Sequence, residues 1–393
     1  MPDLLPGLQK SYNHRLDLVQ PSGIRAFDQK ISEIDGIIKL TIGEPDLNTP
    51  EHIKEAAIQA IKNNDTHYSA QPGTLALRKA IANYLAKSQG LDYKPEDEII
   101  VTIGATEALY ASFATLLNPG DQVILPTPTF ALYEPIVTSL GGEVINLDTS
   151  ANGFVLEPEQ LRQALEENDR VKAVLLNYPG NPTGIEYDEA ALKKIADVLK
   201  DYPVFVLTDE IYAELNYSDE PHFSIAKLLP QQSLYINGLS KSHAMTGWRI
   251  GYVAGPAEIM NKIRKNHAFM VTCPSDIDQA AAQAALEDGQ EDPIPMRAIY
   301  QKRRDFLYKS LTDLGFDIIL PQGAFYMFAK LPDKLGTDDT KAALAIAEKA
   351  KVGVIPGSAF GPGGEGYIRF SYAASDANLK EAVERLSAYL KQA

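Results

Sequence analysis

The sequence predicts an α/β protein with a mostly parallel central sheet flanked by helices, plus a smaller α+β domain. Before residue 296, short apolar runs rich in β-branched residues alternate with helical patterns, as in sheets covered by helices on both faces. At Met296 the pattern changes, and a long charged helix begins. A chain of 393 residues is also long enough for two domains.

Three regions follow from these patterns: an arm over residues 1–45 that packs on the small domain, a large domain over 46–295 and a small domain over 296–393. Thr49 is expected to cap a helix that runs to about Lys62. The arm has no sheet pattern of its own. The predicted strands of the large domain are 99–102, 123–125, 171–176, 204–208, 234–236 and 250–254, with helices at 107–117 and 189–200. The small domain is predicted to contain helix 297–314, strands 316–320, 325–328 and 367–372, and helices from Thr340 and Asn378.

Composition excludes several classes of protein. The formal net charge of −15 disfavours binding to nucleic acid or to anionic membranes. The single Cys273 excludes an intrachain disulfide, and the six histidines lack ligand spacing, so we expect no metal. We find neither a signal-peptide pattern nor an apolar stretch of membrane-spanning length, so we expect a cytoplasmic protein.

Lys241 lies in the most informative segment, residues 237–251, with Arg249 eight residues further on. In this apolar and aromatic setting a lysine can hold an aldehyde cofactor as a Schiff base. The alternative is a solvated surface lysine. A lysine is almost wholly protonated at neutral pH, so it acts as a base only where burial and a neighbouring cation lower its pKa.

Other polar residues follow predicted strands, where parallel sheets collect ligands. Gly104, Ala105 and Thr106 open a helix whose free amides suit a phosphate, although Thr106 can instead be a simple cap. Asp209 ends strand 204–208 and can pair with a protonated pyridine nitrogen; otherwise it caps the next structure.

Three further side chains have a functional and a structural interpretation. Asn181 stands in a Pro- and Gly-rich turn, which does not by itself require an asparagine. Phe130 can lie against a ring system or belong to the core. Arg369 can bind a carboxylate or be a surface strand arginine. Residues 361–366 satisfy a G-x-G-x-x-G pattern, but a strand follows them, so a dinucleotide site is rejected.

Four segments in series, 181–184, 209–212, 240–249 and 368–371, resemble the motifs of the class I and II aminotransferases, which are pyridoxal-phosphate enzymes of fold type I. The resemblance spans nearly the whole chain, in the same order and spacing. It implies pyridoxal 5′-phosphate as cofactor, amino acids and keto acids as substrates, and a homodimer.

The resemblance also implies roles for single residues. Lys241 would form the Schiff base and move the proton between substrate and cofactor. Asp209 would pair with the pyridinium nitrogen, Asn181 and Tyr212 would bind the ring's 3′ oxygen, and Phe130 would stack on the ring. Arg369 and Gly43 would contact the substrate α-carboxylate. Phosphate would be bound by Gly104, Ala105, Thr106, Ser240, Arg249 and, from a neighbouring subunit, Tyr68. Some members carry serine where this chain has Gly238, which leaves Ser240 as the hydroxyl for the phosphate.

Substrate preference is less strongly indicated. Family members that act on aspartate or prephenate often have lysine where Thr106 stands, and segment 221–226 is similar to a bacterial group assigned to N-acetyl-LL-diaminopimelate or aromatic amino acids. Such an enzyme would work by a ping-pong mechanism, with 2-oxoglutarate and glutamate as the second pair of keto acid and amino acid. Of the two kinds of donor, N-acetyl-LL-diaminopimelate belongs to lysine biosynthesis. Arm residue Ile24 is expected to help select the side chain.

Two other classes share these motifs. A carbon–sulfur β-lyase or a decarboxylase can use the same cofactor site, and it would need no acceptor keto acid. A non-enzymatic regulator with an aminotransferase-like domain would carry a basic DNA-binding module before that domain, whereas this chain is acidic and the expected arm begins within its first residues.

Overall fold

The computed structural model describes residues 2–20 and 22–392. Before the large sheet the chain forms α1 (Gly23–Ile31), β1 (Ile38–Lys39), α2 (Glu51–Lys62) and α3 (Leu75–Ser88). The central part contains β2 (Ile99–Ile103), α4 (Gly104–Leu116), β3 (Gln122–Thr127), α5 (Tyr133–Ser139), β4 (Glu143–Asp148), α6 (Pro158–Glu167), β5 (Val171–Asn177), α7 (Glu189–Leu199), β6 (Phe205–Asp209), β7 (Ser233–Gly238), β8 (Ile250–Ala254), α8 (Ala257–Val271) and α9 (Asp276–Glu287). The last part contains α10 (Pro293–Asp313), β9 (Asp317–Ile318), β10 (Tyr326–Lys330), α11 (Asp339–Ala345), β11 (Val352–Gly353), β12 (Ile355–Pro356), β13 (Tyr367–Ser371) and α12 (Asp376–Leu390).

The central sheet has seven strands in the order β2-β8-β7-β6-β5-β3-β4. All neighbours pair in parallel except β8, which is antiparallel to both β2 and β7. Helices cover both faces: Ile99 and Val101 pack with α3 and α9, whereas Ile100 between them packs with α4 and α8. Because both faces of the sheet are covered, the strands are apolar throughout. The predicted α/β fold is confirmed.

The last part of the chain forms a second sheet, which is antiparallel, in the order β12-β13-β10-β9. Arg369 lies on β13, between β12 and β10. The arm, whose sequence showed no sheet pattern of its own, contributes a short strand: residues 38–39 pair in parallel with β11. Among the described residues, no helix is long and apolar enough to cross a membrane.

Thr49 does not cap α2 as expected. Pro50 occupies the cap position and supplies no side-chain hydrogen bond. Instead, the Thr49 hydroxyl donates to the Ala244 carbonyl oxygen (2.7 Å) and accepts from the Trp248 indole nitrogen (3.1 Å). The threonine therefore holds the segment that contains Lys241 against the start of α2.

Candidate active site

The ends of the parallel strands β5 and β6 lie side by side. Asn177, the last residue of β5, stands opposite Asp209, the last residue of β6. Its side-chain amide donates to the Asp209 carbonyl oxygen (2.9 Å), and its Oδ1 accepts from the Asn181 backbone N–H (3.0 Å). Asn177, to which the sequence assigned no role, thus fixes the turn of Asn181 beside Asp209.

Asp209 is a buried carboxylate. Among the described residues, no lysine or arginine forms an ion pair with it. Its Oδ2 accepts a hydrogen bond from the Tyr133 hydroxyl (2.7 Å) and its Oδ1 accepts one from the Ile211 N–H (3.3 Å). Burial raises the pKa of Asp209 to about 6, and the two hydrogen bonds oppose that rise. A cationic nitrogen beside this carboxylate would stabilise its ionised form.

Arg369 is a fully buried guanidinium whose partners are neutral. Its two terminal nitrogens donate to Asn181 Oδ1 (2.8 Å) and to the Thr41 carbonyl oxygen (2.7 Å). The guanidinium carbon lies 4.4 Å from the ring centre of Tyr326 and 4.8 Å from that of Phe360. Nε has no hydrogen-bond partner among the described residues. A buried cation with an unused donor has the chemistry to bind a carboxylate.

Tyr212 and Tyr326 connect Asp209 to Arg369. The two buried hydroxyls are 2.9 Å apart and share a hydrogen bond. Tyr212 lies three residues after Asp209, and the Tyr326 ring packs on the guanidinium of Arg369. Burial raises the pKa of both tyrosines, so both are neutral hydrogen-bond donors near neutral pH.

Lys241 follows β7 and is half-buried. Its ammonium donates to the Gly43 carbonyl oxygen (2.7 Å). Burial, joined by repulsion from Arg249 and Arg369, outweighs the attraction of Glu44 and lowers the pKa of Lys241 to about 8. A substantial fraction of neutral amine is therefore present near pH 8, as a nucleophile or a base requires.

The backbone around Gly104 forms an anion cup at the start of α4. Gly104 has a φ of 71°, and the free amides of the first turn begin there. Arg249 packs against Gly104, and Gly251 lies so close that a methyl group on it would overlap Ala105. Since α4 begins at Gly104, Thr106 is inside the helix and is not its cap. Ser240 is buried next to Lys241 in the chain.

Phe130 lies at one side of the site. Its ring packs edge-on against Tyr133, with centres 5.6 Å apart. It also borders a cavity of about 350 Å³ whose other walls include Ser22, Gly23 and Phe360. Ile24 packs against the hydrophobic core and does not line this cavity.

Tyr68 stands apart from the other candidates, with 86% of its area exposed in the single chain. Hydrogen bonds, close packing and electrostatic interactions connect Gly43, Lys241, Asp209, Asn181, Arg369, Arg249 and Gly104, whereas Ile24 packs on the core. The sequence missed three residues of the site: Tyr133, Tyr326 and Asn177. A tyrosine in the apolar strand predicted at 325–328 was the one available signal for Tyr326, and the sequence held none for Tyr133.

The site fits pyridoxal phosphate in each of its chemical parts. The amine of Lys241 suits the aldehyde, the carboxylate of Asp209 suits the ring nitrogen, and the amides at Gly104 suit the phosphate. Bound cofactor would also provide the cation that buried Asp209 lacks. A mostly parallel sheet with these groups at one edge defines an enzyme of the fold type I, pyridoxal-phosphate class.

Comparison with known proteins gives the family. The family model of aminotransferase class I and II matches residues 35–386. The chain belongs to this family and is a pyridoxal-phosphate-dependent aminotransferase, as the sequence motifs indicated.

Relatives differ in their substrates. A probable N-acetyl-LL-diaminopimelate aminotransferase of Bacillus subtilis is 44% identical, with 95% of this chain and 94% of that protein covered. The structure of an aromatic aminotransferase from Pyrococcus horikoshii OT3 is similar with a TM-score of 0.88 at 37% identity, covering 93% of this chain and 99% of the other. The aspartate aminotransferase of Thermus thermophilus, solved with maleate, has a TM-score of 0.90 at 37% identity, with 96% and 99% covered.

Proposed function

We propose that this enzyme transfers the amino group of an L-amino acid to 2-oxoglutarate by a ping-pong mechanism, with Arg369 as the site of the substrate α-carboxylate. The buried guanidinium of Arg369 carries this proposal, because it has an unused N–H and no anionic partner among the described residues. Both substrates carry an α-carboxylate, so one cation serves both halves of the reaction. Gly43 supplies a backbone contact nearby.

Lys241 is the amine that binds the cofactor and later carries the proton. When bound, pyridoxal phosphate delocalises the electron pair left by the broken Cα–H bond. The lowered pKa of Lys241, about 8, supports its use as a base, and the Gly43 carbonyl oxygen orients the amine. Asp209 faces the ring nitrogen and keeps it protonated, which strengthens the electron withdrawal.

Asn181 and Tyr212 bind the 3′ oxygen of the ring, and Phe130 stacks on its face. The Oδ1 of Asn181 already accepts from Arg369, so its amide nitrogen is the end left to donate to an oxygen. Tyr212 is a neutral hydroxyl that donates to either Tyr326 or the ring oxygen.

The phosphate occupies the cup at the start of α4, where Arg249 adds positive charge. The full set of phosphate ligands is Gly104, Ala105, Thr106, Ser240, Arg249 and Tyr68. The exposure of Tyr68 within one chain supports its action on a second copy, in a homodimer.

Among donors, we propose N-acetyl-LL-diaminopimelate or an aromatic amino acid, the former in lysine biosynthesis. The relative at 44% identity supports the first donor, and Thr106 replaces the lysine expected for aspartate. Arm residue Ile24 contributes to the choice of substrate side chain.

We also propose a cytoplasmic location. The chain is proposed to divide into an arm over residues 1–45, a large domain over 46–295 and a small domain over 296–393.

A donor screen tests this function. Purified enzyme is supplied with 2-oxoglutarate and N-acetyl-LL-diaminopimelate, phenylalanine, tyrosine or aspartate, and glutamate formation is measured. We expect kcat/KM for one of the first three donors to exceed that for aspartate by about tenfold or more, roughly 1.4 kcal/mol of transition-state discrimination. Preference for aspartate would refute the donor assignment, and keto acid formed without an acceptor in excess of one equivalent per active site would indicate a lyase.

Attachment of the cofactor is tested separately by borohydride reduction and peptide mapping. We expect the label on Lys241 alone, and none in Lys241→Ala. A label on another lysine would refute the assignment.

A further inference from the structure

Glu107 and His267 form a buried pair that the proposed chemistry does not use. His267 Nδ1 lies 2.7 Å from Glu107 Oε1, and its Nε2 lies 2.6 Å from the carbonyl oxygen of Gln71. Both nitrogens face oxygen acceptors, so the ring satisfies both contacts when both nitrogens carry a proton. The imidazole thereby connects α8, α4 and the segment that follows Tyr68.

One end of this link reaches the anion cup. The second carboxylate oxygen of Glu107 accepts the backbone N–H of Ile103 (2.5 Å), the residue immediately before Gly104. Glu107 lies in the first turn of α4, so its carboxylate joins the end of β2 to the helix that forms the cup. Contact with His267 fixes the rotamer that makes this bond.

The other end reaches the loop of Tyr68. Gln71, whose carbonyl oxygen accepts from His267, lies three residues after Tyr68. Residues 63–68 are all exposed. Backbone hydrogen bonds to α2 hold the amino end of this loop, and the contact with His267 holds its carboxyl end. A second anchor is buried Gln279, which donates to the Ser69 hydroxyl (3.1 Å).

We infer that His267 is a positioning residue that holds the cup and the Tyr68 loop of one chain in a fixed relation. The inference rests on the proposed roles of both parts in phosphate binding. Since the cup serves its own subunit and Tyr68 serves the partner subunit, the Glu107–His267 pair couples the two phosphate sites of a dimer.

Two variants separate the two ends of the link. In His267→Asn the amide nitrogen replaces Nδ1 and keeps the contact with Glu107, but the contact with Gln71 is lost. In His267→Gln the amide replaces Nε2 and keeps the contact with Gln71, but Glu107 loses its partner. Each is combined with Tyr68→Phe, and the pyridoxal-phosphate Kd of the apoprotein is measured by absorbance titration.

We expect Tyr68→Phe to weaken cofactor binding about tenfold in the wild-type background, as for loss of one charge-assisted hydrogen bond. In the His267→Asn background this factor should fall below about twofold, because the loop is no longer held. In His267→Gln the factor should stay close to tenfold, while inorganic phosphate binds the cup more weakly.

If the pair had a purely structural role, the His267 variants would lower the thermal midpoint. Tyr68→Phe would nevertheless weaken cofactor binding by the same factor in all three backgrounds, and that result would overturn the inference. His222→Asn removes another buried histidine that contacts two carboxylates, and it controls for general destabilisation. Absence of cofactor binding in the wild type would instead refute the proposed function.

Discussion

Arg369 has its terminal nitrogens held by neutral oxygens and its faces held by aromatic rings. This surrounding keeps the guanidinium in place before a substrate arrives, so little side-chain entropy is lost on binding. Burial lowers the pKa of Arg369, but from so high a starting value that it stays charged. The residue is therefore preorganised for the carboxylate binding that we propose.

The first prediction concerns this receptor. Arg369→Lys keeps the charge but removes the planar fork, so KM for amino donor and keto acceptor should both rise by about tenfold to hundredfold. Steady-state kinetics at saturating cofactor measure the change, and the pyridoxal-phosphate Kd serves as control. If both KM values stayed at wild-type levels, Arg369 would not bind the carboxylate.

Among single residues, the sequence indicated those that lie within recognisable motifs. Lys241, Asp209, Asn181 and Arg369 were found because each stands in a recognisable segment. Tyr133 was missed because its contact with Asp209 joins residues 76 positions apart. A pairing of that kind is created by strand order, which composition and periodicity do not encode.

Among structural elements, the turn after β1 is tightly constrained by its neighbours. Gly43 presents its carbonyl oxygen to Lys241, and a methyl group in place of its hydrogen would overlap the Tyr326 hydroxyl. The close approach of arm and β10 therefore requires glycine here. Because Gly43 touches both, it fixes the position of the Lys241 amine relative to the Tyr212–Tyr326 pair.

Gly43→Ala should accordingly displace the Tyr326 hydroxyl or the carbonyl that holds Lys241. We expect kcat/KM to fall by about tenfold to hundredfold, as for a catalytic group misplaced by about 1 Å. Gly247→Ala is the matched control, since a methyl group there meets no atom within 4 Å. Equal activities of the two variants would contradict this account.

In the large sheet, the strands that were predicted are mostly buried on both faces, whereas the edge strand β4 was missed. β4 lies at the edge of the large sheet and alternates polar with apolar residues, several of them exposed, so it lacks an apolar run. The sequence also gave no indication that β8 runs antiparallel, because a central strand is apolar in either direction. The arm strand β1 has two residues, too few for a pattern.

The molecule contains another buried charged cluster, next to the end of strand β6, where Glu210 follows Asp209. His222 contacts Glu186 Oε1 (2.9 Å) and Glu210 Oε2 (2.8 Å) through its two ring nitrogens. Burial opposes protonation of His222, but the two carboxylates outweigh it and raise its pKa to about 10. The cluster makes stability depend on pH.

The sign follows from linkage. A histidine whose pKa is raised by folding contributes stability that is complete below its unfolded pKa of about 6.5 and is lost as pH rises through about 10. The thermal midpoint of the wild type should exceed that of His222→Gln most at pH 6, and the gap should narrow towards pH 10. A gap that widened with pH would refute the charge assignment.

The tight packing of Gly251 against the cup has a practical meaning for enzyme engineering. The proposed phosphate cup consists largely of main chain packed closely on main chain, and such a scaffold offers few positions at which new side chains are accommodated. The arm wall at Ser22 and Gly23, by contrast, borders open space. Laboratory evolution toward new amino donors should therefore be directed to the arm, with the cup left intact.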